Sequence, residues 1–224
     1  MIKEKLKRGS FFYKLYLYFN IFIRYKFFYR SRKSFSQFGE DLFINEFFKD
    51  KLNGKYVDLG AFHPMRLNNT YLLHKKGWSG TNVDLNPISI DLFKIARKKD
   101  VNICCLISNE TDVQKDVYIH HDWSADNTVV LDNNSEDKTN EKRRMNCRNF
   151  ESLITHKFDF LNIDLEGHDY EVLKTINLKK YNPKLICVEI LENSKDYHNT
   201  FKYMKNNNYE FVKRCGVSYF FKYK

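Results

Sequence analysis

Short apolar runs that end beside an acidic residue recur along the chain and predict buried parallel strands. One of these runs contains Asp58, a second ends at Asp84, and a later one leads into Asp164. Because the runs do not alternate strictly between polar and apolar positions, both faces of each strand are expected to be covered. Segments with helical spacing lie between them, which indicates an α/β fold. The predicted strands are residues 56–59, 81–84, 101–107, 117–120, 158–163 and 184–190. Two predicted helices begin near residues 36 and 69, and two more span residues 88–98 and 196–206. Residues 209–214 and 217–223 predict a closing antiparallel hairpin.

Polar residues at the carboxyl ends of the first two strands predict a ligand pocket, since open α/β sheets bind ligands at this edge. Gly60 is expected to let the backbone approach the ligand, and Asp84 is expected to bind ribose hydroxyls. Phe62 and Pro64 stand where a dinucleotide-binding loop requires glycine. The expected ligand is therefore a mononucleoside with a small charged tail.

Other polar residues are expected around the same pocket. Asn69 and Thr70 begin a helix beside the first strand, where free backbone N–H groups favour a carboxylate or phosphate, although both residues also suit simple capping. Glu40 is expected at a lid edge facing a cationic ligand, with capping of its own helix by Ser36 as the alternative. The remaining expected members are Gln37 at that lid edge, and Ser108 and Asn109 after the third strand.

A cluster of ionisable side chains follows the fourth core strand. Asp164, Glu166 and His168 stand within five positions, and the two carboxylates share one side while the chain remains extended. A helix cap explains Asp164 alone but not the other two. Carboxylates beside an imidazole suit either a general base or a cation site. His120, His121 and Asp122 are expected at the surface, because neighbours in a strand point to opposite faces.

The positive charge of the chain belongs to its N-terminal arm, residues 1–34. The net charge is +10, and ten Lys or Arg residues against one Glu lie in the arm, so the body, residues 35–224, is nearly neutral. Basic residues interrupt the apolar stretch, which excludes a membrane-spanning helix, and no cleavage site of a signal peptide follows it. An apolar face is formed by Phe11, Leu15, Tyr18, Phe22, Tyr25 and Tyr29.

Two readings of this arm remain open. A basic, aromatic helix suits the interface of an anionic membrane, and it equally suits packing on its own domain or on a second subunit. Nucleic acid is a poor partner, since the neutral body offers no positive track for a phosphate backbone. The five cysteines form no paired metal spacing and indicate a reducing compartment. The expected location is the cytoplasm, at the inner face of the membrane if the arm binds lipid.

Several motifs together resemble the FkbM-type family of class I S-adenosylmethionine-dependent methyltransferases. The resemblance covers roughly residues 34–224, and the arm and the stretch 123–147 fall outside its motifs. The motifs, in family order, are residues 36–41 (SQFGED), 56–64 (YVDLGAFHP), 68–70 (NNT), 77–80 (GWSG) with 83–84 (VD), and 163–168 (IDLEGH). The resemblance implies a Rossmann-like fold with a seven-stranded, mostly parallel sheet and a C-terminal antiparallel hairpin, to which the arm adds a helix.

The resemblance also implies S-adenosylmethionine as methyl donor and assigns parts of its site. Asp58 and Gly60 are implied near the amino-acid tail, Asp84 at the ribose, and Ser108 or Asn109 near the adenine. The implied acceptor is a hydroxyl, on a sugar of a surface polysaccharide or its precursor or on another small molecule. The expected general base is His168 or Glu166, with His63 third, while Asp164 positions the sulfonium. The alternative is a divalent cation held by Asp164, Glu166 and Glu189.

Two rival functions remain at the level of the sequence. One is a non-catalytic, membrane-associated or assembly module that retains the fold, which the set of pocket carboxylates disfavours. The other is a methyltransferase of nucleic acid, which the neutral body disfavours. Residues 132–144 are expected to form a charged loop, and Trp123, Ser124 and Asp126 are expected to border the acceptor.

Overall fold

The computed structural model of the protein describes residues 6–119 and 141–224. The described strands are β1 (Lys55–Leu59), β2 (Ser79–Asp84), β3 (Val101–Cys104), β4 (Leu106–Ile107), β5 (Gln114–Ile119), β6 (Glu141–Arg148), β7 (Phe160–Ile163), β8 (Leu185–Glu189), β9 (Tyr209–Cys215) and β10 (Ser218–Tyr223). The α-helices are α1 (Phe11–Phe19), α2 (Lys26–Phe28), α3 (Glu40–Phe47), α4 (Tyr71–Lys75), α5 (Pro87–Ala96), α6 (Phe150–Leu153), α7 (Asp169–Leu173), α8 (Leu178–Tyr181) and α9 (Asp196–Asn206), and a π-helical segment, Asn20–Tyr25, joins α1 to α2.

A seven-stranded sheet in the order β3-β2-β1-β7-β8-β10-β9 forms the centre of the fold. Its strands from β3 to β8 pair in parallel, and β10 pairs antiparallel with β8 and β9. The predicted mostly parallel sheet with a closing hairpin is therefore confirmed. The chain order reverses between β1 and β7, so the crevice of this open sheet lies at their carboxyl ends.

Apolar side chains cover both faces of the central sheet, as the continuous apolar runs predicted. Val57, Leu161 and Ile186 contribute to one face, and Tyr56, Phe160 and Phe220 contribute to the other. Each of these side chains is almost completely buried. Burial on this scale fixes the strand register and hence the positions of the polar residues at the strand ends.

A small second sheet corrects two sequence predictions. The single strand predicted over residues 101–107 is divided at Cys105, and β4 leaves the central sheet to pair with β6 in the order β4-β6-β5. The strand predicted over residues 117–120 is confirmed for residues 117–119, which belong to β5. Residues 141–144, predicted as loop, belong to β6, because their backbone pairs antiparallel with β5.

The arm lies against α5 through a face that the sequence analysis did not select. Tyr13, Leu17 and Ile21 are buried against Ile88 and Leu92. The predicted face is largely exposed instead, with Phe11 74% and Leu15 56% accessible to solvent. Both faces of the arm are apolar, so periodicity alone could not decide which one packs. In the described part of the chain, no helix combines the length and apolar character needed to cross a membrane.

Candidate active site

A cavity of about 180 Å³ opens at the carboxyl ends of β1, β2, β7 and β8, where the topology reverses. We call it the donor pocket. Nine residues selected from the sequence line it: Gln37, Glu40, Gly60, Asn69, Asp84, Asp164, Glu166, His168 and Glu189. The structure therefore brings together residues that are up to 152 positions apart in the sequence, from residue 37 to residue 189.

The lining of the donor pocket is strongly acidic. Glu40, Asp84, Asp164, Glu166 and Glu189 all contribute to it, and no Lys or Arg is found among its described lining residues. Grouped carboxylates in a partly buried site repel one another and favour a cationic ligand. The pocket is thus suited to a ligand that carries positive charge.

Asp84 lies at the end of β2 and organises the loops on both sides of the pocket. Its carboxylate accepts hydrogen bonds from the backbone N–H groups of Phe62 at 2.7 Å and Asn86 at 2.6 Å. Burial raises the pKa of Asp84 to about 6, although these two hydrogen bonds oppose the rise. Each carboxylate oxygen has a second lone pair, so Asp84 retains the capacity to accept from ligand hydroxyls.

Asp164 and Glu189 form a carboxyl pair on the opposite side of the pocket. Burial raises the pKa of Asp164 well above its usual range, and the charge of Glu189 and a hydrogen bond with it raise that pKa further. A nearby positive charge would relieve this repulsion. Among the described residues, no group of three or more His, Cys, Asp or Glu side chains is arranged to hold a metal ion.

Gly60 is required by the close approach of two chain segments. Its φ of +77° is a conformation that favours glycine, and a Cβ atom there would lie 1.7 Å from the backbone oxygen of Asp164. The sequence predicted that this glycine admits the ligand. It lines the pocket, but its first role is to let the loops after β1 and β7 cross.

Strained backbone conformations occur around the donor pocket. Phe62, Leu67 and Glu166 have φ values of 51°, 46° and 51°, and all three line the pocket. Positive φ is unfavourable for residues with a side chain, and such strain often accompanies functional sites. The loops after β1 and β7 are therefore held in shapes that suit the pocket.

Glu40 is buried at the start of α3, at the edge of the pocket. It accepts hydrogen bonds from the backbone N–H of Phe38 at 2.6 Å and from the hydroxyl of Ser218 at 3.3 Å. Gly39, in a left-handed conformation, takes the N-cap position, while the Ser36 hydroxyl accepts the backbone N–H of Asp41 in the first turn at 3.3 Å. Ser36 therefore satisfies a donor of the helix start from outside the N-cap position. Gln37 is exposed and lines the same edge.

Asp58 and Thr70 lie beneath the pocket and do not line it. Asp58 accepts hydrogen bonds from the Thr70 hydroxyl at 2.8 Å and from the side-chain amide of Asn162 at 2.9 Å. Burial raises the pKa of Asp58, whereas these hydrogen bonds oppose the rise. Only Asn69 of the predicted helix start reaches the pocket, where its amide donates to Asn162 at 2.9 Å. Asp58 thus supports the floor of the pocket from below and is not among its lining residues.

Arg97, which the sequence analysis did not select, completes this buried network. It is 1% exposed, and its guanidinium donates to Thr70, Asn68 and the backbone oxygen of Pro64 at 2.6–2.8 Å. Arg97 also donates to the Tyr56 hydroxyl at 2.9 Å. A buried cation that is hydrogen-bonded in this way fixes the loop after β1. Its position at the end of α5 gave no local signal of this role.

The two residues predicted near the adenine follow directly after the part of this segment that lines the pocket. Ser108 and Asn109 hydrogen-bond to each other at 3.1 Å and do not line the pocket. Cys105, Leu106 and Ile107 line it instead, and all three are buried. The bend that separates β3 from β4 turns these apolar side chains towards the cavity, which supplies a surface suited to a flat ring.

His168 combines a neutral imidazole with an unused nitrogen. It lines the donor pocket, and its Nε2 atom is buried without a hydrogen-bond partner in the described parts of the chain. Burial lowers the pKa of His168. Its loop is held by Asp169, which accepts from the backbone N–H groups of Leu165 at 2.9 Å and Gly167 at 3.1 Å. Asp169 was not selected from the sequence because an acidic residue is common in the first turn of a helix, here α7.

His63 does not line the donor pocket, and its geometry does not support the base role expected of it. Its Nδ1 atom accepts the backbone N–H groups of Met65 and Arg66, both at 3.0 Å. The ring proton of the neutral imidazole is therefore on Nε2. Burial, followed by the charges of Arg66 and Arg97, lowers the pKa of His63 to about 3. Such an imidazole is a poor proton acceptor at neutral pH.

Some predictions fall on residues outside those that the structure describes. These are the surface positions of His120, His121 and Asp122, the acceptor contacts of Trp123, Ser124 and Asp126, and the part of the predicted loop between residues 132 and 140. They remain predictions.

Comparisons with known proteins show the family of the chain. The family described as "Methyltransferase FkbM domain" matches residues 58–211. A solved structure of a TehB-like SAM-dependent methyltransferase from Corynebacterium glutamicum is similar at 13% sequence identity, covering 90% of this chain and 95% of that chain with a TM-score of 0.45. No curated protein sequence matches the chain. Because the family match covers more than half of the chain, the protein belongs to the FkbM family of methyltransferases.

Proposed function

We propose that the protein transfers a methyl group from S-adenosylmethionine to a hydroxyl of a sugar, or of a related group, in a cell-surface polysaccharide or its precursor. The observation that carries the donor assignment is the set of five carboxylates in a pocket whose described lining contains no Lys or Arg. Family membership implies the donor and an acceptor. The sugar hydroxyl comes from the family resemblance.

The lining of the donor pocket fits each part of S-adenosylmethionine. When bound, this donor supplies an electrophilic methyl group on a positively charged sulfonium. Asp84 has free lone pairs for ribose hydroxyls, and the buried residues around Leu106 suit the adenine. Glu40 and Gln37 suit the ammonium of the amino-acid tail, while Asp164, whose pKa is raised by burial and by Glu189, gains from a nearby sulfonium.

His168 is the residue that we assign as general base. An alcohol becomes a good nucleophile when its proton is removed during attack, and a neutral imidazole with a free nitrogen can accept that proton. The Nε2 atom of His168 meets this need. The acceptor O–C bond would form as the methyl–sulfur bond of the donor breaks, S-adenosylhomocysteine would leave with the electron pair on sulfur, and the hydroxyl proton would move to Nε2. Glu166, which lines the pocket beside His168, would stabilise the imidazolium that results.

Methyl transfer from isotope-labelled S-adenosylmethionine to a cell-envelope glycan extract tests this proposal. We expect His168→Gln to lower kcat by about 10²-fold or more, while the Kd for the donor changes by less than about twofold. Glu166→Gln should also lower kcat. Glu46→Gln, which removes an exposed carboxylate on α3 that pairs with Lys49 and does not line the pocket, is the control and should leave both constants unchanged. Full turnover in both pocket variants would refute the assignment.

The arm also supports a peripheral contact with an anionic membrane, at the inner face of the cell membrane. Phe11, Phe12, Phe27 and Phe28 are 65–77% exposed although α1 packs on the body through its other face. Exposed apolar patches of this kind mark interaction surfaces, and the arm carries most of the positive charge of the chain. Aromatic side chains and basic charge together suit an interface of anionic lipid.

Sedimentation with lipid vesicles tests this contact. We expect binding to phosphatidylglycerol-containing vesicles and little binding to phosphatidylcholine alone. A variant with Phe11→Ser and Phe27→Ser should lose it, whereas Leu52→Ser, which removes an apolar side chain 71% exposed on the body, should not. A stable dimer in light scattering that the two arm substitutions abolish, without lipid binding, would assign the face to a second copy of the chain instead.

A further inference from the structure

A second cavity, of about 110 Å³, separates the arm from the body. We call it the arm–body cleft. Asn20, Arg24 and Tyr25 line it from the arm, and His63 and Arg66 line it from the loop after β1. The arm residues come from the π-helical segment Asn20–Tyr25. Departures of this kind from α-helical geometry are frequent at functional sites.

The arm–body cleft adjoins the donor pocket. Phe62 and Asn86 line both cavities. Phe62 is held by its backbone hydrogen bond to Asp84, in a conformation with φ of 51°. A ligand in the cleft would therefore be separated from the methyl donor by one layer of side chains. An acceptor larger than a single sugar could reach both cavities.

The charge of the cleft is opposite to that of the donor pocket. Arg24 and Arg66 line it, and its described lining contains no Asp or Glu. The Arg24 guanidinium contacts the side-chain oxygen of Asn20 at 3.4 Å and the ring of Tyr25, and that of Arg66 lies over the ring of Phe62. Neither arginine forms an ion pair with a carboxylate of the described residues. Two guanidinium groups on one cleft are a site for an anion.

His63 adds an unused donor to the wall of the cleft. It is 4% exposed, and Nδ1 already accepts two backbone N–H groups, so the neutral ring carries its proton on Nε2. Nε2 has no hydrogen-bond partner in the described parts of the chain. A buried donor without an acceptor is unfavourable, and the oxygen of an anion would satisfy it.

We propose that the arm–body cleft binds a phosphate group of the methyl acceptor, while the acceptor hydroxyl lies at the donor pocket. Two arginines match the double charge of a phosphate, whereas a single carboxylate would balance only one of them. This inference rests on the proposed function, because it names a chemical class of acceptor: a phosphorylated sugar or sugar diphosphate. The arm, which lies outside the family match, would then select the acceptor.

Calorimetry with inorganic pyrophosphate on the full chain tests the inference. We expect Arg24→Gln and Arg66→Gln each to weaken pyrophosphate binding by about tenfold or more. Both side chains are exposed, so the substitutions should not disturb folding. Arg30→Gln, which removes an exposed arginine of the same arm outside the cleft, is the matched control and should change the affinity by less than about twofold. The affinity for S-adenosylhomocysteine should be the same in all four proteins.

Several outcomes would overturn the assignment. Equal losses in Arg30→Gln would show that only the net charge of the arm matters, and unchanged binding in both cleft variants would remove the site. Glucuronate binding more tightly than pyrophosphate would assign the cleft to a carboxylate. These results do not depend on methyl transfer: a protein that binds pyrophosphate through both arginines but methylates nothing would contradict the proposed function alone.

Discussion

The acidity of the donor pocket makes the affinity for S-adenosylmethionine depend on pH. Burial raises the pKa of Asp84 to about 6, so in the free protein this carboxyl is mostly protonated at about pH 5 and mostly ionised at about pH 7. S-adenosylmethionine keeps its own charge over this interval, because the pKa of its ammonium group is about 8. A cationic ligand whose ribose hydroxyls donate to Asp84 favours the ionised form. Affinity should therefore rise with pH.

The size of this effect follows from the pKa of Asp84. If only the ionised carboxylate binds, the fraction competent for binding grows about tenfold between about pH 5 and about pH 7, or about 1.4 kcal/mol. Asp164 acts in the same direction, since its pKa is also raised. Calorimetric titration with S-adenosylhomocysteine and S-adenosylmethionine at several pH values measures the slope, and the sulfonium should make it steeper for S-adenosylmethionine.

Asp84→Asn separates this explanation from a general effect of acid. The variant should bind the donor about tenfold or more weakly at about pH 7, because it loses charged hydrogen bonds, and its affinity should vary less with pH. Glu46→Gln should retain the slope of the unsubstituted protein, since this carboxylate is exposed on α3 and does not line the pocket. An affinity that is independent of pH, or an unchanged slope in Asp84→Asn, would refute the reasoning.

Two further predictions concern the buried supports of the site. Arg97→Met should lower the free energy of unfolding, measured in urea, by about 3–5 kcal/mol. The substitution leaves the hydrogen-bond acceptors of the buried guanidinium unpaired and the carboxylate of Asp58 without a nearby cation. A loss below about 1 kcal/mol would contradict the role of this network. Gly60→Ala should abolish donor binding or folding, because the new Cβ would lie 1.7 Å from the backbone oxygen of Asp164. Gly167→Ala is its control, because Gly167 also has a positive φ, 96°, but no atom of the described residues lies within 4 Å of the added Cβ. Equal losses of the two variants in thermal denaturation would show that backbone strain and not the clash decides.

The fold was accessible from the sequence because buried parallel strands need long apolar runs. Those runs, and the acids that end them, placed Asp84 and Asp164 at the same sheet edge, where both line the donor pocket. Asp58 was misplaced because it lies within β1, one position before its last residue, and apolar runs do not tell which face a polar residue occupies. Its register partners, Asn82 and Asn162, are polar residues inside apolar strands, and this coincidence was a usable signal of a buried polar layer.

Other features depend on contacts that only the folded chain brings together. Arg97 reaches Pro64, which is 33 residues away in the sequence. The orphaned nitrogens of His63 and His168 depend on ring surroundings that spacing does not reveal. The arm has apolar residues on both faces. Tyr13 is buried because it packs against α5 and because its hydroxyl donates a hydrogen bond to Asp91 of that helix at 2.9 Å.

A crystal structure with bound S-adenosylhomocysteine tests the central claim most directly. The ligand should occupy the donor pocket at the carboxyl ends of β1 and β2, with its ribose hydroxyls within hydrogen-bond distance of Asp84 and its adenine against Leu106. Its sulfur should face Asp164 and His168. A ligand bound elsewhere on the chain, or one in the pocket whose ribose does not contact Asp84, would contradict the account.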